Sequence, residues 1–573
     1  MKRRRKRKSE LEARTKRKDE DEEHNEENTH RVQGVLVDPF TLNQTVELKR
    51  KETLSLEGVV KITVLQGCLW IEGYLLTATK GSVVVSGNQS VGWPLTCKPV
   101  FRDGEYNGPE HPERCLIFLD NVQKDKCSGI AYTTAEKSEE DAEQKNLETS
   151  FTSKKTKKTK KTFEHKVLER EENALNLQQD WQQCLAGISE ELLESLGSAG
   201  SSLSELTTLV CGPKNAGKSS FCRTLVNTLL NSSPVVAYLE ADCGQPEFNL
   251  PGSVSLTFVD TAVAGPPFMH PRKAAQACFI GDTTPKSDPV LYLNSVLYLV
   301  EWYRTGGTQA LKDHLDARNI SVDHLVPLVI NTPGWVKGLG FEILDRIVQQ
   351  VRPNHVVELC TNTAKDLPKE ESGWKDNLGL RIHYLQAHKF SAPNGVSALD
   401  VRSLMWLSFS HQCTGLPFDL NAWTQDLFSK AASSLCSCIP YRVNLSSVRV
   451  TSTSNFEFPD KLLPNVLNGS LVALSNLSLA SSDGRSQNSC FPFIGFGLVR
   501  AVDSQSGDLY ILTNVVDVEQ AEMLLLGSVR LPQQLMQNGI FQSPYVAEGA
   551  IAVEGTGSGT IKGRNNMRRG RLD

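Results

Sequence analysis

Apolar and polar positions change period several times along the chain, and those changes divide it. Between about 54 and 86 the alternation is short: Gly58-Val-Val-Lys-Ile-Thr-Val-Leu65, Cys68-Leu-Trp-Ile-Glu-Gly-Tyr-Leu75 and Gly81-Ser-Val-Val-Val-Ser86. Short alternating runs between glycine turns predict a small β-sandwich or barrel over residues 31–132. Residues 203–425 behave differently. Near-continuous apolar runs at Leu206–Cys211, Val235–Glu240, Val254–Val259, Leu325–Asn331, His355–Leu359 and Leu380–Leu385 read as strands. Helical spacing separates them near 219–230, 290–303, 340–351 and 398–410. Strands alternating with helices predict an α/β domain whose parallel sheet is covered on both faces. Short strands return over 430–553, at Tyr441–Leu445, Gly469–Leu474, Gly495–Ala501 and Asp508–Thr513, predicting a second small β domain.

The remaining stretches are polar. Residues 1–30 are nearly all charged and 133–163 are rich in Lys, Glu, Thr and Ser, so neither can bury a core, and both are expected to be disordered. A helical connector is expected over 164–202, and residues 554–573 form a basic tail. A length of 573 residues agrees with about two to four domains.

Net charge, −4 from 62 basic and 66 acidic residues, says little about partners, whereas its distribution says more. Lys2-Arg-Arg-Arg-Lys-Arg-Lys8 and Arg14-Thr-Lys-Arg-Lys18 form a bipartite basic block, which suggests nuclear import or a nucleic-acid patch. The 14 cysteines include no C-x-x-C pair, which argues for a reducing compartment and against a disulfide framework or a zinc site. No apolar run approaches the ~20 residues that span a bilayer, so no membrane partner is expected.

Candidate chemistry centres on Gly212-Pro-Lys-Asn-Ala-Gly217-Lys218-Ser219, which lies between the strand ending at Cys211 and an apolar-periodic helix. Strand, glycine-rich turn and helix form the context in which G-x-x-x-x-G-K-[ST] cradles phosphate. Backbone N–H groups and the positive helix end face the anion. The expected nucleotide-binding residues are Gly212, Pro213, Lys214, Asn215, Ala216, Gly217, Lys218, Ser219 and Ser220. Lys218 would reach the β- and γ-phosphates of ATP and Ser219 would hold Mg²⁺.

Further along, Glu240-Ala-Asp242-Cys-Gly-Gln-Pro246 ends the second buried strand. The carboxyl end of that strand is expected beside the phosphate loop. Asp242 would there either complete the Mg²⁺ shell or take the proton from an acceptor hydroxyl. Guanine specificity is not indicated, because Asn362-Thr-Ala-Lys-Asp366 has the wrong spacing for N-K-x-D. Asn331-Thr-Pro-Gly334 nearly matches the D-x-x-G switch of GTPases, with Asn in place of Asp. A P-loop kinase or an ATPase remains.

Gly212–Ser219, Asp242-Cys-Gly-Gln-Pro246, Gly281-Asp-Thr-Thr-Pro285 and Ile330-Asn-Thr-Pro-Gly-Trp-Val-Lys-Gly-Leu-Gly340, in this order, resemble the polynucleotide 5′-hydroxyl-kinase family. The nearer branch is the one that acts in pre-ribosomal RNA processing; the RNA kinase of pre-mRNA cleavage is more distant. The resemblance covers the middle domain, and the order β domain, kinase, β domain extends it over most of the chain. It implies transfer of the ATP γ-phosphate to 5′-hydroxyl RNA ends, with DNA not distinguished, in processing of the second internal transcribed spacer and large-subunit ribosome biogenesis. It also implies a nucleolar location in the nucleus and a partnership with the spacer endonuclease.

In such kinases a Thr-x-Gly-Trp clasp holds the acceptor, which would assign Thr332, Gly334 and Trp335 to the substrate. A stacked base on Trp335 would contribute roughly 1–3 kcal/mol. A lid arginine closes over the triphosphate; Arg402 fits that position, and an ordinary helix-surface arginine is the alternative. Lys214 is assigned equally to phosphate or to solvent, and His270-Pro-Arg272-Lys273 to a substrate-side patch. Two rivals stay open: an ATP-binding scaffold with little transfer, and a mechanical ATPase or GTPase.

Overall fold

The computed structural model describes residues 35–37, 44–49, 54–87, 95–100, 114–121, 166–168, 177–197, 206–316, 326–364, 366–368, 379–387, 397–414, 425–453, 459–476, 490–532 and 535. The tails and the 133–163 insert named above lie outside these residues.

The middle of the chain builds one seven-stranded sheet from β1 (Thr207–Cys211), β2 (Val236–Glu240), β3 (Ser253–Val259), β4 (Gln276–Phe279), β5 (Leu328–Asn331), β6 (His355–Cys360) and β7 (Arg381–Gln386). Its order is β4-β3-β2-β5-β1-β6-β7. Strands β2, β5, β1, β6 and β7 run parallel, with Leu209 opposite both Ile330 and Val356. Two strands differ from the all-parallel expectation: β3 is antiparallel to β2, and β4 to β3. The connections explain this, since no α-helix lies between β2 and β4, and a parallel return normally needs a helical crossover.

Apolar residues occupy both faces of this sheet because each is covered. On one side α1 (Gln179–Gly197) and α2 (Lys218–Leu229) pack Trp181, Leu185, Phe221 and Leu225 onto Val210, Tyr238 and Val357. On the other, α3 (Pro289–Thr305) and α5 (Leu339–Val351) pack onto Leu209, Leu239 and Ile330. Pro289 and the Asp288 carboxylate, which accepts from Leu291 N at 2.9 Å, start α3. A shorter helix, α4 (Gly307–Asp316), follows behind Gly306.

The N-terminal part is β-rich, but the 68–75 run, read as a single strand, instead turns midway, pairing Cys68–Ile71 with Tyr74–Thr77 as a hairpin. Its two turn residues, Glu72 (φ 44°) and Gly73 (φ 98°), both have positive φ, as a tight two-residue hairpin requires. The connector is not wholly helical: Lys166–Leu168 is a strand paired with the 55–57 segment, and among its described residues the helix is α1.

The C-terminal part forms a six-stranded sheet. It is joined to the central sheet at an edge: Phe279 N donates to Phe491 O (2.8 Å) and Phe493 N to Ala277 O (3.1 Å). Phe279, Phe493, Phe496 and Trp406 of α6 (Ala398–Thr414) pack edge to face there. Leu471, Ala473, Met523 and Leu525 of that sheet share the core beneath α3 and α5.

Candidate active site

The chain leaves β1 at Gly212 and enters α2 at Lys218. Three residues of the turn take positive φ: Gly212 (145°), Asn215 (64°) and Gly217 (97°). A side chain on Gly212 would come within 2.7 Å of Leu359 O, so glycine is needed for space as well as conformation. Lys218 is buried, and its Nζ donates to Pro213 O at 3.0 Å, lying back across its own loop. Burial pulls its ammonium below the ordinary lysine range, and Asp242, foremost among nearby charges, works the other way.

Strand order changes one expectation. The strand ending at Glu240 is not the neighbour of β1; β5 lies between them. Asn331, the last residue of β5, fills the gap. Its Nδ2 stands 3.3 Å from Ser219 Oγ and 3.0 Å from Glu240 Oε1. Glu240 is fully buried and also accepts from Asp242 N (2.8 Å) and Glu247 N (3.0 Å). Burial, with Asp242 beside it, holds its carboxyl well above the usual range, against those hydrogen bonds. Glu240 therefore organises the turn rather than presenting a surface charge. Asp242 is more open: Oδ1 accepts from Gly244 N (2.9 Å) and Gln245 N (3.2 Å), and Oδ2 accepts no hydrogen bond among the described residues.

The Thr-Pro-Gly-Trp segment lies directly against the phosphate loop. A Cβ on Gly334 would fall 2.7 Å from both N and Cα of Lys214, so the two backbones touch. Thr332 is buried, and its hydroxyl donates to Val210 O at 2.8 Å. That bond ties the start of the turn to the end of β1. Trp335 is half-buried, backed by Gly340, with Lys286 Nζ 5.4 Å from its ring centroid. Arg402 is not brought to the loop by any hydrogen bond or ion pair among the described residues. It sits half-buried in α6, a helix started by reciprocal bonds between Ser397 and Asp400.

Sequence reasoning missed a buried ionic group beneath α2. Arg223 donates to Glu247 through Nε (3.0 Å) and Nη2 (3.3 Å) and lies 3.8 Å from Glu72 of the N-terminal hairpin. His270 Nε2 is 2.8 Å from Glu247 Oε1, which gives that residue a structural place under the site. Burial opposes charge on Glu247, yet Arg223 and His270 hold its carboxyl down to about 2. Burial pushes Glu72 up to about 7, against the pull of Arg223. Around this group Asn227 Nδ2 binds Glu72 O (2.9 Å) and Val263 O (2.8 Å), and Gly73 sits against Thr224 O. Of this network the sequence singles out only His270, and the Glu72-Gly73 pair offers the further signal of a tight turn.

Comparison with known proteins agrees with this architecture. Residues 212–396 match the family "mRNA cleavage and polyadenylation factor CLP1 P-loop", and residues 436–532 match "NOL9-like, C-terminal domain". Polynucleotide 5′-hydroxyl-kinase NOL9 of Arabidopsis thaliana is 33% identical, over 64% of this chain and 97% of the relative. The Danio rerio and Homo sapiens proteins of the same name are 33% and 28% identical; the chain spans about half of each, 50% and 51%. A chain of the solved wild-type Clp1p–Pcf11p complex shares the fold at a TM-score of 0.50 and 16% identity, covering 86% of this chain and 98% of that one. With a phosphate loop, an adjoining Thr-Pro-Gly-Trp turn and a relative matched along nearly its whole length, the chain belongs to the polynucleotide 5′-hydroxyl-kinase family of NOL9.

Proposed function

We propose that this chain transfers the γ-phosphate of ATP to the 5′-hydroxyl of RNA ends. The observation that carries the reading is the backbone contact between Gly334 and Lys214, which sets a half-open tryptophan beside a triphosphate loop. A donor site and an acceptor site are side by side, as in-line transfer needs, and such transfer draws on positioning and charge rather than covalent chemistry.

The backbone of 212–220 wraps the phosphates, and Lys218 turns from Pro213 O to the β- and γ-oxygens. Ser219 Oγ and the unengaged Oδ2 of Asp242 are hard oxygen donors suited to Mg²⁺. Bound Mg²⁺ would neutralise charge on the β- and γ-oxygens. Asp242 either accepts the proton of the attacking hydroxyl or completes that metal shell. Thr332 holds the turn to β1, Gly334 lets it touch the loop, and Trp335 receives the terminal base. Arg402 acts as the lid arginine once α6 closes on the nucleotide.

The biological setting that family membership supports is pre-ribosomal RNA processing in the nucleolus. There, cleavage of the second internal transcribed spacer by its endonuclease would supply the 5′-hydroxyl during large-subunit biogenesis. The test is single-turnover 5′-end labelling of matched RNA and DNA oligonucleotides by the wild type and Lys218→Ala. Label transfer by the wild type alone is the expected result. ATP binding without transfer would replace the kinase with a scaffold, and RNA-independent hydrolysis as fast as labelling would indicate a mechanical NTPase.

A further inference from the structure

The segment Gly281–Ser287 carries a lysine that no role above uses. Its backbone is held on two sides. Toward the C-terminal sheet, Ser528 N donates to Gly281 O (2.5 Å), and Gly527 packs backbone to backbone on Gly281. Asp282 Oδ2 accepts from Ser287 Oγ (2.5 Å) and Ser528 Oγ (2.9 Å). Toward the catalytic turn, Thr283 O lies so close to Gly244 that a Cβ there would be 2.6 Å from it. Gly244 in turn donates to Asp242.

Lys286 and Ser287 are the exposed members of this fixed segment, and Lys286 is its one cation. Its stem leads to the ring of Trp335, where Nζ stands 5.4 Å from the centroid. No carboxylate pairs with it among the described residues. Lys214, Gly334, Trp335 and Lys286 thus follow one another outward from the phosphate loop. An acceptor strand must take that route, because its terminal hydroxyl has to reach Asp242 while its first base lies on Trp335.

We propose that Lys286 is the backbone-binding half of the acceptor subsite. In the free protein its ammonium rests over the indole, a favourable place for a cation. When a base takes the ring, the flexible stem carries the ammonium to an internucleotide phosphate of the same strand. Stacking and phosphate contact together serve a site that tolerates any base. This inference rests on the kinase reading, since it needs an oligonucleotide on the tryptophan side.

Direct binding of fluorescent single-stranded 5′-hydroxyl RNAs about ten nucleotides long, oligo-U and oligo-A, tests it across a salt series. Lys286→Ala should weaken both sequences by about fivefold and flatten the plot of log affinity against log salt by about 0.7, the loss of one phosphate contact. Lys286→Arg should retain the slope, Lys286→Glu should bind worst, and affinity for an ATP analogue should not change. A slope equal to that of the wild type in Lys286→Ala, or equal loss of RNA and nucleotide affinity, overturns the assignment and leaves the kinase reading standing. A wild type that binds neither RNA overturns both.

Discussion

Asn331 Nδ2 lies 3.0 Å from Glu240 Oε1, an amide donor set against a carboxyl that the sheet buries completely. The same nitrogen faces Ser219 Oγ. One side chain therefore ties the acidic turn to the first residues of the phosphate helix, at the position where a D-x-x-G protein has a carboxylate. Asn331→Leu removes the donor and leaves Glu240 short of a partner, which should cost about 1–3 kcal/mol. The urea midpoint should fall, and Mg²⁺-dependent ATP affinity should fall with it as Ser219 loses its orientation. An unchanged midpoint would mean that Glu240 is satisfied without the amide.

Gly334 offers a sharper test of the donor–acceptor junction. Because a Cβ there meets backbone atoms of Lys214 at 2.7 Å, no rotamer change can relieve Gly334→Ala. The turn must move away from the loop, and misplacement by about 1 Å can cost on the order of 10² in rate. We expect kcat for end labelling to drop by about that factor with little change in melting temperature. A variant with wild-type kcat would separate the turn from the chemistry.

Trp335→Ala should act on the acceptor. Losing one stacked base is worth roughly 1–3 kcal/mol, so KM for RNA should rise while KM for ATP stays within about twofold of wild type by the same reasoning. Parallel losses would make the ring a packing element over Gly340.

Protonation separates the two acids around Arg223. Glu72 has its folded pKa raised to about 7, above the ordinary value of about 4.3. Its contribution to stability is fully present below about pH 4.3 and is lost as pH rises through about 7. Glu247, held down to about 2, behaves oppositely: its contribution is present above about 4.3 and disappears only as pH falls through about 2. Between pH 5 and 8 the Glu72 effect therefore dominates this pair. Glu72→Gln cannot ionise, so it should gain on the order of 2 kcal/mol relative to the wild type on going from pH 5 to pH 8. Urea titrations of both proteins at the two pH values measure the difference, and parallel pH profiles would refute it.

Much of the fold was legible because its signals are local. The glycine-rich turn between a buried strand and an apolar-periodic helix identifies itself, and so do the β5, β6 and β7 strands. Strand order is not local. Nothing in the spacing of Glu240 and Asn331 says that β5 runs between β2 and β1, so the bridging amide was read only as a defective switch motif. The same limit hid Glu72, which meets Arg223 from about 150 positions earlier in the chain. The bond from the Thr332 hydroxyl to Val210 O is hidden in the same way, since it joins positions far apart in the chain. Gly306-Gly307 obscured α4, since two glycines in sequence usually mark a turn rather than a helix start.

The pairing of Phe279 with Phe491 and of Ala277 with Phe493 closes what would otherwise be the raw border of the central sheet. A chain shortened to end ahead of residue 490 would bare the amide and carbonyl of β4 together with a facing cluster of phenylalanines. Such a border recruits other strands. The catalytic region is therefore not a detachable cassette, and preparations that omit the residues from 490 onward should come out as aggregates rather than as a smaller working enzyme.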